Sequence, residues 1–194
     1  MAAHYFSENI EAPSQPKAFT YLYGGRTYCF TTDAGVFSVG KMDAGTDVLL
    51  RNMPPLSGSL LDLGCGFGCI GIVLAGAFGV RVTQADINPR AVFWARENAK
   101  KNSISTATVR SNGFENIGGV FDTIILNPPI HAGKDVIFPL YEGAFRHLVS
   151  GGRFFVVIKQ KHGALSSKAR LDEIFGNSHI LYKKKGVYIF FSVK

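Results

Sequence analysis

The sequence predicts an α/β fold built on a doubly wound, mostly parallel sheet, and three features carry that prediction. From Ser59 to Val193, strand-like and helix-like segments alternate, the pattern of parallel strands joined by crossover helices. LLDLGCGFGCIG, residues 60–71, places a glycine-rich turn between the first of these strands and the first helix, where open α/β sheets bind ligands. The last two strand-like segments are separated only by KKKG, residues 183–186. That link is too short for a crossover helix, so it predicts an antiparallel hairpin at one edge.

The elements follow in order. KAFTYLYGGRTYCFTT, residues 17–32, alternates about Gly24–Gly25 and predicts a β-hairpin. A helix starts near Asp43 or Thr46, and Pro54–Pro55 with Gly58 separate it from the next strand. Residues 1–58 are therefore expected to form a hairpin-and-helix cap on a catalytic domain over 59–194, one structural unit overall. In the second part strands are predicted at Ser59–Leu63, Arg81–Ala85, Thr106–Arg110, Phe121–Leu126, Arg153–Ile158, His179–Tyr182 and Val187–Val193. Helices are predicted at Cys69–Phe78, at Pro89–Lys101 with Pro in the first turn, at Val136–Leu148 stopped by Gly151–Gly152, and at Ser166–Phe175.

Composition narrows the function classes. A chain of 194 residues, 46% hydrophobic, can bury one full core, and a mean hydropathy of +0.13 fits a globular protein. Apolar runs such as Phe154–Ile158 have strand length, far short of a membrane span. MAAHYFSENI lacks the basic stretch and apolar core of a signal peptide, so a cytoplasmic protein with no membrane partner is expected. Cys29, Cys65 and Cys69 form no disulfide framework, and no Cys/His set completes a zinc site, so no metal is expected. A net charge of +7 suits a polyanionic partner or simply a solvated basic surface.

The glycine turn fits two cofactors. Gly66, Gly68 and Gly71 satisfy G-x-G-x-x-G, the dinucleotide spacing, whereas Asp62, Gly64, Gly66 and Gly68 satisfy D-x-G-x-G-x-G, the turn that holds S-adenosylmethionine (SAM). Asp86, about 20 residues on at the end of the second strand, suits the ribose hydroxyls of either. Asp62 favours SAM, because a carboxylate complements an ammonium and a sulfonium but opposes a pyrophosphate.

The fourth strand adds the decisive signal. FDTIILNPPIHAG, residues 121–133, ends a buried strand in Asn127-Pro128-Pro129. Hydride transfer has no use for such a corner. Methylation of a planar nitrogen does, because acceptors aimed at its N–H groups hold it and draw its delocalised lone pair toward the donor. Asn127 offers a side-chain carbonyl and Pro128 a backbone carbonyl, with Pro129 stiffening the corner.

On these residues the sequence resembles class I SAM-dependent methyltransferases of the N-P-P amino-methylating kind, and among them the RsmC-type small-subunit rRNA guanine-N2 enzymes. HYFSENIEAPSQP, FTTDAGVFSVGKMDAGTDVLL, LLDLGCGFGCIGIVLA, NPPIHAGKDV and GGRFFVVIKQKHGA carry the likeness, which covers nearly the whole chain and is similar to the catalytic half of longer members. The resemblance implies a seven-stranded Rossmann-like methyltransferase sheet, SAM as donor, and N2 of a guanine in 16S rRNA or the small ribosomal subunit as acceptor, with no DNA target. It implies that Gly64, Gly66 and Gly68 line SAM with Asp62, Cys65 and Ile87 beside them. Asp86 would take the ribose, Asn112 and Gly113 the adenine, and Asn127 with Pro128 the guanine amine. Two positions depart from the pattern: Asn112 stands where an acid is expected, and Ile130 where many relatives have an aromatic. Phe37 or Phe114 would then supply stacking on the flipped base, or apolar packing would hold it. Phe37, Ile130, His131, Lys134 and Lys159 are the candidate RNA contacts, with Lys41, Lys161 and His162 near them, whereas Lys183–Lys185 is read as a solvated face.

Two other functions fit the same residues. One is methylation of a glutamine side-chain nitrogen in a protein. The other is a non-catalytic RNA-binding or ribosome-assembly module of the same fold, which the intact Asp62, Gly64, Gly66, Gly68 and Asn127 argue against.

Overall fold

The computed structural model describes residues 13–129 and 133–194. Among them a hairpin, β1 (Lys17–Tyr23) and β2 (Arg26–Thr32), leads to α1 (Ala44–Asn52). The chain then runs through β3 (Ser59–Leu63), α2 (Cys69–Phe78), β4 (Arg81–Asp86), α3 (Pro89–Lys101), β5 (Ala107–Arg110) and β6 (Phe121–Leu126). It continues with α4 (Lys134–Arg146), β7 (Leu148–Lys159), α5 (Ala164–Phe175), β8 (His179–Lys184) and β9 (Val187–Val193). The seven strands β3 to β9 form one sheet in the order β5-β4-β3-β6-β7-β9-β8. β9 lies antiparallel to both β7 and β8, the edge hairpin that the short link demands. The order reverses between β3 and β6, so a crevice opens where Leu63 passes into the glycine turn and Leu126 into Asn127.

Strand residues alternate between two buried layers, as a period of two requires. Leu60, Ile125, Phe155, Val157 and Ile189 face the hairpin and α1 to α3. Leu61, Ile124, Leu126, Phe154, Val156 and Phe190 face α4 and α5.

The hairpin is held against the rest of the chain by hydrogen bonds as well as by apolar packing. Asn98 on α3 and Asn102, which caps its C-terminal end, lie one turn apart and pair with the outer edge of β2 much as a strand would. Asn102 Oδ1 accepts from Cys29 N–H and its Nδ2 donates to Cys29 O, both at 2.8 Å. Asn98 repeats the pattern on Thr31 at 2.8 Å, and its Nδ2 also donates to Phe67 O at 2.9 Å. One side chain thus ties the hairpin to the glycine turn and covers an edge that would otherwise be open.

Several boundaries differ from the sequence reading. Helix α4 covers Lys134–Arg146 rather than Val136–Leu148, and Leu148 already belongs to β7. Gly151–Gly152 is therefore no helix stop. His147 closes α4 by donating its N–H to Gly143 O at 3.0 Å, and its own carbonyl accepts from Phe121 N–H at 2.8 Å. The glycines form an irregularity within β7, between the Phe121↔Leu148 and Thr123↔Arg153 pairs. The C-terminal residue completes it: Lys194 O accepts from Gly151 N–H at 2.8 Å, and Lys194 N–H donates to Gly152 O at 3.0 Å. Smaller shifts lengthen β4 to Asp86, start β5 at Ala107 and α5 at Ala164, and carry β8 to Lys184.

Candidate active site

The turn after β3 is shaped by glycines whose conformations L-residues rarely adopt. Gly66 has φ +57°, and a Cβ built on it would meet nothing within 4 Å. Its backbone therefore opens on free space, as a surface meant to approach a ligand closely should. Gly68 (φ +88°) does the opposite job, since a Cβ there would lie 2.7 Å from Gln84 Nε2 and 3.1 Å from Ala95 Cα. It lets the start of α2 pack onto β4 and α3 and does not line the cavity.

Two carboxylates, Asp62 buried and Asp86 half-buried, hold this turn. Asp86 Oδ2 accepts from Gly66 N–H at 2.8 Å, and its Oδ1 accepts from Asn88 N–H at 2.9 Å. Asp62 Oδ2 accepts from Gly71 N–H at 2.9 Å, and the residue is only 1% exposed. The sequence reading set Asp62 beside the cofactor; it lies behind the turn instead, because the first turn of α2 draws its carboxylate inward.

Burial pushes the Asp62 carboxyl up to about 7 and raises that of Asp86 as well. A raised carboxyl favours the protonated folded form, so this contribution is complete below about pH 4 and is lost as pH rises through about 7. Unfolding of the ligand-free protein by denaturant should cost on the order of 2–3 kcal/mol less at pH 8 than at pH 5 from this group. Asp62→Asn should flatten most of that slope. An equal slope in the variant would assign it to other groups.

A cavity of about 140 Å³ fills the crevice. Gly64, Cys65, Gly66 and Phe67 form its floor, Asp86 and Ile87 one rim, Asn112 and Gly113 another, and Asn127, Pro128 and Pro129 the far end. Val36, Phe37 and Ser38 reach it from the loop after β2. That loop is fastened to the start of α3, where Asn88 Nδ2 donates to Gly35 O at 2.8 Å and Trp94 Nε1 to Asp33 Oδ2 at 3.4 Å. Asn112 Nδ2 donates to Glu115 Oε1 at 2.9 Å, which fixes the amide and leaves its Oδ1 available as an acceptor.

The far end carries the most informative contact. Asn127 Nδ2 donates to Thr46 Oγ1 at 2.9 Å. Thr46 lies in the first turn of α1 and is 3% exposed, and its own N–H donates to the capping carboxylate of Asp43 at 3.0 Å. With its nitrogen committed, Asn127 offers Oδ1, an acceptor, to anything entering the crevice. A smaller cavity of about 20 Å³ lies on the other side of Asn127 and Pro128, walled also by Asp43, Ile137, Lys159 and His162.

The structure thus brings Phe37, Gly64, Cys65, Gly66, Asp86, Ile87, Asn112, Gly113, Asn127, Pro128 and Pro129 to one cavity, and Lys159 to its neighbour. Asp62, Gly68 and Lys134 lie off both walls. Lys134 is the exposed first residue of α4. Phe114 is also off the wall: its ring stacks on His147 at a centroid distance of 4.5 Å and fills the space left by Gly143. Ile130 and His131 lie outside the described residues. Sequence reasoning missed Asp43, Thr46, Val136 and Leu140. Asp43 and Thr46 were read only as the start of a helix, and nothing local pointed to a partner 81 residues away. Among the described residues no three His, Cys, Asp or Glu side chains gather as a metal site would need. No helix there is long and apolar enough to cross a membrane.

Comparison with known proteins agrees with this geometry. Residues 27–191 match the family model described as methyltransferase small domain. Uncharacterized protein YbxB of Bacillus subtilis (strain 168) is 37% identical, over 97% of each chain. Ribosomal RNA small subunit methyltransferase C of Pasteurella multocida (strain Pm70) is 36% identical over 82% of this chain and 49% of its own. A solved 16S rRNA N2 methyltransferase (RsmC) of T. thermophilus, in complex with AdoMet and guanosine, superposes with a TM-score of 0.83 at 28% identity. It covers 94% of this chain and 51% of that one. The chain therefore spans about half the length of the rRNA methyltransferases it matches. On the family match, and on a relative 37% identical along nearly its whole length, the chain belongs to the methyltransferase small domain family of SAM-dependent methyltransferases.

Proposed function

We propose that this protein methylates the exocyclic N2 amine of a guanine in RNA, in small-subunit rRNA, as a cytoplasmic enzyme. The observation that carries the reading is Asn127: its nitrogen is held by Thr46 at 2.9 Å, and its oxygen is left as an acceptor beside Pro128. An amine with two N–H groups is the matching donor. Support also comes from the solved relative whose complex holds both AdoMet and guanosine.

The residues present fit SAM. Gly66 leaves open space where a side chain would stand, Asp86 lies at the rim for hydroxyl donors, and Asn112 offers an acceptor to an amino group. SAM, when bound, supplies an electrophilic methyl group on a sulfonium. The chain's own part is orientation. Asn127 Oδ1 and the Pro128 carbonyl would accept the two N–H groups of the amine, aligning its lone pair and stabilising the positive charge that develops on nitrogen. Both acceptors stand at the end of a buried strand and need little reorganisation. The methylated nitrogen then gives up one proton to water. Guanine N2 is stacked and paired in a duplex, so the base must be unpaired or flipped to reach the crevice.

Incubation with labelled SAM and undermethylated small subunits, or their rRNA, tests the reading. Label in N2-methylguanine is the expected result. Absence of label from both substrates would sink it, and label in protein would favour a glutamine side-chain acceptor.

A further inference from the structure

We propose that the β8–β9 turn and the 3₁₀ turn at Gln160–His162 together form a basic rim that grips the phosphate backbone beside the target nucleotide. The proposal rests on the RNA reading above. Charge distribution is the first support. Between Leu148 and Lys194 the chain has nine Lys and Arg against two Asp and Glu, and the remainder has twelve of each. The entire net charge of +7 thus resides in the last three strands and the helix among them. Both of its acids are already engaged within α5, Asp172 with Lys168 and Glu173 with Arg170, each at 2.7 Å.

Position is the second support. Val187, at the start of β9, pairs with Lys159 on one side and with Lys184 on the other. Gln160 N–H donates to Gly186 O at 2.7 Å, which fastens the hairpin turn to the 3₁₀ turn bearing Lys161. Lys161, Lys183, Lys184 and Lys185 are exposed. Lys184 shares a face of the sheet with Lys159 through Val187, and Lys159 walls the small cavity next to Asn127 and Pro128; Lys183 takes the opposite face, its ammonium 5.2 Å from the centre of the Tyr188 ring. From β6 to β8 is three strand spacings, about 14 Å, within reach of a short single-stranded segment whose base sits in the crevice.

Backbone conformation is the third. Lys185 and Gly186 form the two-residue turn with φ +49° and +73°, where Asn-Gly is the favoured pair. Lys185 thus holds a left-handed conformation that suits a lysine poorly, in an exposed turn. The solvated-face reading of KKKG accounts for its exposure but not for its attachment beside the crevice.

The test is the triple variant Lys161→Ala/Lys184→Ala/Lys185→Ala, compared with wild type in filter binding to undermethylated small-subunit rRNA across KCl concentrations. If each lysine meets a phosphate, the slope of log affinity against log salt should become shallower by about 2. Affinity near 100 mM KCl should fall at least about tenfold. SAM affinity by calorimetry should stay within about twofold, reporting an intact fold. An rRNA affinity and slope equal to wild type would overturn the rim while leaving the methyltransferase reading intact, provided wild type labels the rRNA. A wild-type protein that neither binds nor labels rRNA would overturn both. Anionic phosphatidylglycerol vesicles serve as the competing partner, and a variant that loses vesicle binding but keeps rRNA binding would also overturn the proposal.

Discussion

Asn127→Ala should lower kcat for methyl transfer by about 10²–10³-fold while SAM affinity stays within a few fold of wild type. The magnitude is that of one pre-organised hydrogen-bonding group aimed at charge developing in a transition state. The division between the two readouts comes from position. Asn127 stands at the end of the cavity opposite Asp86, while the glycine turn and its latches, Asp86 on Gly66 and Asp62 on Gly71, involve no atom of Asn127. Asn127→Asp separates an acceptor role from a donor role. It keeps an oxygen facing the crevice, and the Thr46 hydroxyl can donate to its other oxygen, so it should lose less activity than the alanine variant. Calorimetry showing SAM affinity lost in step with turnover would contradict this assignment. So would an aspartate variant as inactive as alanine.

What the sequence made legible, and what it hid, divides along one physical line. Local signals were read correctly: the Gly24–Gly25 hairpin, the glycine turn, Pro89 at the start of α3, and the short link that makes β8 and β9 antiparallel. Each depends on residues adjacent in the chain. The larger misreadings involve partners outside the local stretch that was read. Gly151–Gly152 looks like a helix stop until Lys194 is seen bonded to both. Asp62 looks like a cofactor ligand until the Gly71 N–H turns it inward. Phe114 was a stacking candidate until His147 and Gly143 claimed its ring. The candidate site was legible at both strand ends, Gly64 to Gly66 and Asn127 to Pro129, because glycine and proline announce backbone requirements locally. Of the wall supplied by the loop after β2 and by α1 only Phe37 was legible, since nothing local to Val36, Asp43 or Thr46 points to the crevice and they reach it only through the fold.

Thr46 therefore provides the sharpest test of how the site is built. Thr46→Val keeps the shape of the side chain and removes the oxygen that accepts from Asn127 Nδ2. The amide is then left without its partner beside a buried wall, an imbalance of roughly 2 kcal/mol. The amide can relieve it by rotating its nitrogen toward the crevice, which withdraws the acceptor. Turnover should fall about 30-fold, with SAM affinity unchanged and thermal stability little altered. Thr46→Ser restores the hydroxyl and should recover activity to within a few fold. A role in folding alone would move stability and SAM binding together and would not discriminate between valine and serine in kcat. The double variant Thr46→Val/Asn127→Ala adds the decisive arm. If Thr46 acts only by orienting Asn127, the double variant should be no slower than Asn127→Ala alone, because the two side chains form one unit. Multiplicative losses would mean instead that Thr46 reaches the reaction by another route.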